Sequence, residues 1–194
     1  MNRPEALKLI AELFPDQPIV LTLGGTVREM MALVGRRANH LPILDSMGLP
    51  VPIALGLALG LEEAPVDKVI VIEGDGSLLM GLSVLSTIGM LQPRKLLLIL
   101  MDNGVYAATG GQPTAAQSTD FVRVAQAFGL EAREATTLEG LRSTLQELAA
   151  LDRPAFLRVA VTTETIPTDY FLEDPVIPGR EFQAYLQQRL RQSS

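Results

Sequence analysis

Apolar residues in the chain form short continuous runs, separated by longer segments in which they recur every three or four positions. The continuous runs are PIVLTLGG, KVIVIEG, KLLLILMDNG and AFLRVAV, which begin at residues 18, 68, 95 and 155. Runs of leucine and β-branched residues without alternation predict strands that are covered on both faces, as in a parallel sheet.

The segments between these runs predict amphipathic helices. A first helix follows Pro4 and places Leu7, Ile10, Leu13 and Phe14 on one face. Further helices are predicted from Gly25 to Val34, Gly48 to Leu61, Ser77 to Leu91, Asp120 to Phe128 and Leu138 to Ala150, and a last one places Phe182, Tyr185, Leu186 and Leu190 on one face. Such alternation predicts an α/β fold of three layers, an open, mostly parallel sheet with helices on both faces.

The length of 194 residues lies within the range of one domain, and no repeat or low-complexity segment divides the sequence. We therefore expect a single domain over residues 1–194. Residues 162–194 are expected to form a C-terminal extension and helix, because prolines punctuate the stretch from Thr162 to Gly179.

Composition excludes several classes of function. The net charge of −6 and the scattered Lys and Arg residues provide no basic surface for nucleic acid or an anionic membrane. The absence of cysteine excludes disulfides, thiolate metal sites and a cysteine nucleophile. The N-terminus lacks the features of a signal peptide, and no apolar run reaches the length of a membrane span, so we expect a cytoplasmic protein.

One predicted strand, in VIVIEGDGSLLMG from Val69 to Gly81, ends in Gly-Asp-Gly-Ser. A strand-to-helix turn at the carboxyl edge of such a sheet presents backbone N–H groups that bind anions. Gly74 and Gly76 allow the backbone to approach a phosphate, and Ser77 adds a hydroxyl. Asp75 is an anion within this anion site, which indicates a hard cation such as Mg²⁺ between carboxylate and phosphate.

The next predicted strand ends in Asp102-Asn103-Gly104, at the same edge of the sheet. Asn103 can therefore share a cation with Asp75. The alternative is that both segments are ordinary turns, which are rich in Gly, Asp and Asn.

Together, the Gly-Asp-Gly turn and the Asp-Asn-Gly turn, separated by 25 residues, resemble the thiamine diphosphate (ThDP) motif of the decarboxylase, acetolactate synthase and transketolase superfamily. The resemblance implies that Gly74 to Ser77 contact the cofactor. It also implies that Asp75, Asn103 and the backbone carbonyl of Val105 hold Mg²⁺. Asp102 stands where the family usually has Asn, which leaves the presumed ligand Asn103 in place.

The segment LTLGGTVREM resembles the first strand and turn of the same domain, whose loop contacts the diphosphate. This similarity implies that Gly24, Gly25 and Thr26 bind the cofactor.

The segment LDSMGLPVPIALGLALG resembles the part of the family in which a bulky apolar residue wedges the cofactor into a bent, V-shaped conformation. Met47 would be this wedge, with Asp45 and Ser46 beside it in the cofactor-binding loop. The family usually has Gly at the position of Asp45. Alternatively, Met47 is a core methionine.

The superfamily also needs a second domain, which supplies a Glu that activates the aminopyrimidine of the cofactor. One domain has no room for it, so the resemblance implies an α-type partner subunit with that domain and its Glu, in an oligomer. The stretch GGQPT, Gly110 to Thr114, resembles the β subunits of sulfopyruvate decarboxylases and the matching part of phosphonopyruvate decarboxylases, although it can also be a surface loop. The implied substrate is a small 2-oxo acid, with sulfopyruvate as the first choice.

Several alternatives stay open. The chain can be a phosphonopyruvate decarboxylase, an acetolactate-synthase-like carboligase subunit, the ThDP subunit of a 2-oxoacid:ferredoxin oxidoreductase, or a non-catalytic ThDP-binding regulatory module. His40, the only histidine, is a candidate acid–base group, although a loop histidine is more often solvated or hydrogen-bonded. Arg28, Arg36 and Arg37 can attract a dianionic substrate or serve only solubility and the helix dipole.

Overall fold

The computed structural model describes residues 1–169 and 173–191, which form a parallel sheet between two layers of helices. The sheet contains β1 (Ile19–Leu21), β2 (His40–Pro42), β3 (Val69–Gly74), β4 (Leu96–Asp102), β7 (Glu131–Ala135) and β8 (Ala155–Ala160), and a separate hairpin contains β5 (Val105–Tyr106) and β6 (Gln112–Pro113). The helices are α1 (Arg3–Leu13), α2 (Gly25–Val34), α3 (Pro50–Gly60), α4 (Asp75–Met80), α5 (Val84–Leu91), α6 (Phe121–Ala127), α7 (Leu138–Ala149) and α8 (Val176–Arg191), with 3-10 turns at Ala107–Thr109 and Ala115–Ser118.

The six strands lie in the order β2-β1-β3-β4-β8-β7, and every neighbouring pair is parallel. From β1 the chain passes to β2 on one side and then returns to β3 on the other side of β1. The winding direction therefore reverses between β1 and β3. In an open α/β sheet such a switch point leaves a crevice at the carboxyl ends of the two strands.

The continuous apolar runs are explained by two cores, one on each face of the sheet. In β4, Leu97, Ile99 and Met101 belong to the core that packs on α1, α2 and α7, whereas Leu96, Leu98 and Leu100 belong to the core under α3, α5 and α6. Unpaired polar groups are costly in such an interior, so reactive side chains are confined to the strand ends. The predicted three-layer α/β fold is confirmed.

The prediction of one helix from Ser77 to Leu91 is wrong, because α4 ends at Met80 and α5 begins at Val84. A Cβ atom at Gly81 would lie 2.5 Å from the carbonyl oxygen of Gly48, so the break is where the loop before α3 packs closely against the chain. The short strand β2 and the polar edge strand β7 contain no continuous apolar run and are not predicted from the sequence.

Helix α8 covers the edge strand β2. Phe182 is buried there, and the Tyr185 hydroxyl donates a hydrogen bond to the carbonyl oxygen of Asp16. A covered edge cannot pair with another strand. The predicted C-terminal helix is present, although residues 170–172 and 192–194 of the predicted extension lie outside the described residues. Within residues 1–169 and 173–191, no helix has both the length and the apolarity to cross a membrane.

Two helical glycines offer a matched test of this packing. A Cβ atom at Gly89 in α5 would lie 2.2 Å from the backbone oxygen of Phe128, whereas one at Gly56 in α3 would meet no atom within 4 Å. We expect Gly89→Ala to lower the free energy of unfolding by about 1–3 kcal/mol, because the backbone must move. Gly56→Ala should raise it by about 0.5–1 kcal/mol. Urea denaturation followed by circular dichroism measures both, and equal effects would contradict this packing.

Candidate active site

A cleft lies at the carboxyl ends of β1, β3 and β4. Of the residues predicted from the sequence, those that line it are Gly24, Gly25, Thr26, Met47, Gly74, Asp75, Gly76, Ser77, Asn103 and Val105. Asp45 and Ser46 precede Met47 in the same loop but do not line the cleft. Three turns that are far apart in the sequence thus converge at the switch point.

Asp75 is a buried carboxylate in the wall of this cleft. It begins α4, its residue is 3% exposed, and its Oδ2 atom accepts a hydrogen bond from the Thr114 hydroxyl. Burial is the main cause that raises the pKa of Asp75, and the nearby charge of Asp102 raises it further. A cation bound here would favour the ionised carboxylate.

In the turn after β4, two polar side chains that are adjacent in the sequence make different contacts. Asn103 lines the cleft, and its Oδ1 atom accepts from the backbone N–H of Val105 at 3.1 Å. Asp102 instead accepts from Nε of Arg158 on β8 at 2.7 Å, and its other oxygen accepts from the N–H of Gly104 at 3.1 Å. The aspartate that departs from the family pattern is therefore neutralised by a neighbouring strand and caps the turn.

The β5–β6 hairpin folds back over the Gly-Asp-Gly-Ser turn. The backbone N–H of Thr114 donates to the carbonyl of Gly104 at 2.9 Å, and its hydroxyl reaches Asp75. The Tyr106 ring lies against Gly76, where a Cβ atom would be 2.2 Å from Cε1. The tip of GGQPT is exposed and its last residue, Thr114, is buried, so the stretch is both a surface loop and part of the site.

The loop that carries Met47 is tied to the same turn. The backbone N–H of Gly48 donates to the Ser77 hydroxyl at 3.0 Å. Asp45, at the position where the family usually has Gly, adopts a left-handed φ of 52°, which Asp tolerates better than most residues. Met47 is half-buried and, within the described residues, belongs to neither apolar core. This placement favours a role at the cleft over the core alternative.

A second buried carboxyl group, which is not among the site residues predicted from the sequence, lies behind the turn. Glu73 is fully buried at the end of β3, and its Oε1 atom accepts from the N–H of Gly74 at 2.9 Å. Burial raises the pKa of Glu73 to about 7, while the Thr22 and Ser77 hydroxyls and the Gly74 N–H act in the opposite direction. In the sequence, the signal for this buried carboxyl group is a charged residue at the end of the apolar run VIVIE.

The residues of the cleft fit a diphosphate held through Mg²⁺. Asp75, Asn103 and Val105 offer carboxylate, amide and carbonyl oxygens on one cleft, which is the hard donor set that Mg²⁺ prefers together with phosphate oxygens. At Gly24 and Gly74 an added Cβ atom would meet nothing within 4 Å, so the backbone there is open to a ligand. Across the described residues, no group of three or more His, Cys, Asp or Glu can hold a metal. A cation in this cleft therefore depends on amide and backbone carbonyl oxygens in addition to the carboxylate of Asp75.

The structure does not bring His40 to this cleft. His40 begins β2 and lines a second cavity between β2 and α8, together with Arg36 and Arg37. Burial, and secondarily the charge of Arg37, lowers the pKa of His40 to about 4, so the ring is neutral at pH 7. Arg36 pairs with Glu173 and Glu181, and Nε of Arg28 donates to the carbonyl of Gly24 at 3.3 Å.

Comparison with known proteins agrees with this geometry. Residues 25–159 match the thiamine pyrophosphate enzyme family over its C-terminal TPP binding domain, TPP being another name for ThDP. The chain therefore belongs to this family of ThDP-binding domains, and the predicted family is confirmed. In particular, it is 36% identical over 146 residues to the sulfopyruvate decarboxylase subunit beta of Methanococcus maripaludis, which is 75% of this chain and 76% of that subunit.

Two further similarities extend the comparison. The chain is 37% identical over 155 residues to the phosphonopyruvate decarboxylase of Streptomyces viridochromogenes, a match that covers 79% of this chain and 38% of that protein. The fold superposes on benzoylformate decarboxylase from Polynucleobacter necessarius with a TM-score of 0.71 at 20% identity, over 84% of this chain and 33% of that chain. The individual cofactor and metal contacts stay predictions.

Glu73 makes the stability of the protein depend on pH. The folded state keeps a proton on this carboxyl up to a pKa of about 7, whereas the unfolded chain loses it near 4.5. The contribution of this proton to the free energy of unfolding is therefore complete below pH 4.5 and is lost as the pH rises through 7. Between pH 5 and pH 8 we expect the free energy of unfolding of the unaltered chain to fall by about 2 kcal/mol because of this group. Glu73→Gln has no carboxyl group to titrate at this position and should not show that fall.

Urea denaturation at both pH values, without Mg²⁺, measures this difference. The control is Glu139→Gln, a change of an exposed carboxylate on α7, which should follow the unaltered chain. A fall that is the same for both variants would show that Glu73 does not cause the pH dependence.

Proposed function

We propose that the chain is the ThDP- and Mg²⁺-binding subunit of a 2-oxo acid decarboxylase, and that its substrate is sulfopyruvate, which yields sulfoacetaldehyde and CO₂. The observation that carries this proposal is the convergence of three turns on one cleft with Asp75 in its wall. The similarity to a sulfopyruvate decarboxylase subunit beta supports the choice of substrate. The similarity to a phosphonopyruvate decarboxylase supports the wider class of 2-oxo acids with a second anionic group.

Asp75, Asn103 and the carbonyl of Val105 are proposed to hold Mg²⁺. The backbones of Gly24 to Thr26 and of Gly74 to Ser77 would bind the diphosphate, because glycine lets N–H groups approach phosphate oxygens closely. Thr114 would orient the Asp75 carboxylate through its hydroxyl. These roles use only groups that line or directly support the cleft.

When bound, ThDP supplies the nucleophilic carbon and the electron sink that decarboxylation of a 2-oxo acid requires. Met47 is proposed to press on the cofactor from the cleft wall and to hold its bend, with Asp45 and Ser46 shaping the loop. The hydrogen bond from Gly48 to Ser77 fixes the distance between this loop and the diphosphate-binding turn. Orientation of this kind lowers the barrier because the reacting groups are held together in advance.

An α-type partner subunit is proposed to supply the aminopyrimidine-binding domain and its Glu, in an oligomer that we place in the cytoplasm. Among the described residues, the lining of the cleft includes no glutamate, so this group would come from elsewhere. Leu49 and Met80 are 50% and 65% exposed and adjoin the contact between Gly48 and Gly81. Large apolar side chains exposed beside the cleft favour a protein partner there.

The metal assignment predicts that ThDP stabilises the chain only in the presence of Mg²⁺. A ligand that binds only the folded state at a hundredfold excess over its Kd adds about 2.7 kcal/mol to the free energy of unfolding. Asp75→Ala should abolish this increment, because it removes the carboxylate proposed to bridge to the cation. Thermal denaturation with and without each ligand measures the increment.

Asp67→Ala serves as the control, because it removes an exposed carboxylate that precedes β3 in the sequence, whereas Asp75 follows β3. This variant should keep the full Mg²⁺-dependent increment. An Asp75→Ala chain that folds and keeps the increment would refute the metal assignment.

The partner assignment predicts that the purified chain releases no CO₂ from sulfopyruvate in the presence of ThDP and Mg²⁺. Co-expression with the partner subunit should give turnover, because the missing Glu is then supplied. Sulfopyruvate, phosphonopyruvate and pyruvate are compared by their kcat/KM values, and sulfopyruvate should have the highest. Robust turnover by the chain alone would contradict the proposal of two subunits.

A further inference from the structure

A buried arginine from the first helix reaches the cleft. Arg3 begins α1, is 7% exposed and is one of the residues that line the cleft. Its guanidinium makes a two-point ion pair with Glu29 on α2, from Nε to Oε2 at 2.7 Å and from Nη2 to Oε1 at 3.0 Å. Among the described residues, Glu29 is its only hydrogen-bonding partner, and the third nitrogen, Nη1, makes no hydrogen bond to any of them.

The guanidinium lies directly against the backbone of the first turn of α2. A Cβ atom at Gly25 would lie 2.5 Å from Nη2, 3.1 Å from Cζ and 3.4 Å from Nη1 of Arg3. A side chain at position 25 would therefore force the guanidinium to move, because the arginine occupies that space. Arg3 and Gly25 form one continuous part of the wall of the cleft.

Positive charge is concentrated on the cleft side of this turn. The N-terminus of a helix carries partial positive charge, and α2 has neither a capping side chain nor an acidic residue in its first turn. Arg3 adds a full positive charge beside it, whereas Glu29 does not line the cleft. Glu29 balances the charge of Arg3 without lining the cleft, so the helix N-terminus and the remaining N–H groups of the guanidinium stay available to the oxygens of a phosphate.

We propose that Arg3 is a binding residue for the diphosphate group, and that Glu29 positions it. The inference rests on the proposed function, because it concerns the same cleft. It adds a side-chain cation to a site otherwise described through Mg²⁺ and backbone N–H groups. Arg3 would thereby neutralise charge at the β1 side of the cleft, away from the Asp75 and Asn103 turns.

The test uses inorganic pyrophosphate with Mg²⁺ as the probe, titrated calorimetrically into the full chain. We expect Arg3→Gln to weaken binding about tenfold or more, which corresponds to at least about 1.4 kcal/mol. Glu29→Gln should weaken binding by less than Arg3→Gln does, because the guanidinium stays in the cleft but is no longer held by two charged hydrogen bonds. Arg142→Gln, which alters an exposed arginine on α7, is the matched control and should change nothing.

The double variant Arg3→Gln/Glu29→Gln keeps the proposal testable if Arg3→Gln alone fails to fold, since it leaves no unpaired buried charge. It too should bind pyrophosphate about tenfold more weakly. If Arg3 served only to pair with Glu29, the two single variants would weaken binding alike and the double variant would restore it, which would overturn the inference. Absence of Mg²⁺-dependent pyrophosphate binding by the unaltered chain would instead overturn the proposed function, and the inference with it.

Discussion

Parallel pairing of β3 with β1 on one side and with β4 on the other determines where polar chemistry can occur in this protein. The strands are buried on both faces, so their interiors accept only apolar side chains, apart from groups that find partners. All three strands end at the same edge, and their last residues lead directly into the turns that line the cleft. The cleft is thus a direct result of the pairing and of the reversal of winding between β1 and β3.

Sequence reasoning identifies most of this arrangement where apolar pattern and turn chemistry are strong. The runs at β3, β4 and β8 are unambiguous because burial on both faces leaves no polar alternation. In contrast, β2 has only three residues and β7 reads EAREA, so neither carries a strand signal and both depend on the neighbour with which they pair. The break at Gly81 depends on contact with Gly48, which lies 33 positions earlier in the chain and which local propensity does not report.

The residues of the candidate site likewise divide into those that the sequence identifies and those that only the folded structure identifies. Glycines and carboxylates in the turns can be found from motifs, because the chemistry needs those residue types at strand ends. Thr114 and Arg3 cannot, because their relevance arises from contacts with Asp75 and Gly25 that only the folded chain creates, whereas Glu73 leaves a signal as a charged residue at the end of an apolar run. Asp102 shows a further limit of motif matching: it departs from the family pattern, and only the position of Arg158 on the adjacent strand explains how its charge is tolerated.

The long separation between paired strands also affects how the chain reaches its folded state. Ile19 of β1 pairs with Ile70 of β3, so β2, α2 and α3 all lie in the loop that this pairing closes. Closing so long a loop costs entropy before the contacts form, which makes assembly of the sheet slow compared with the formation of its helices. The cleft does not exist until that loop is closed. A ligand of the cleft therefore stabilises only chains with a completed sheet, and partly folded chains stay as open to proteolysis with the ligand as without it.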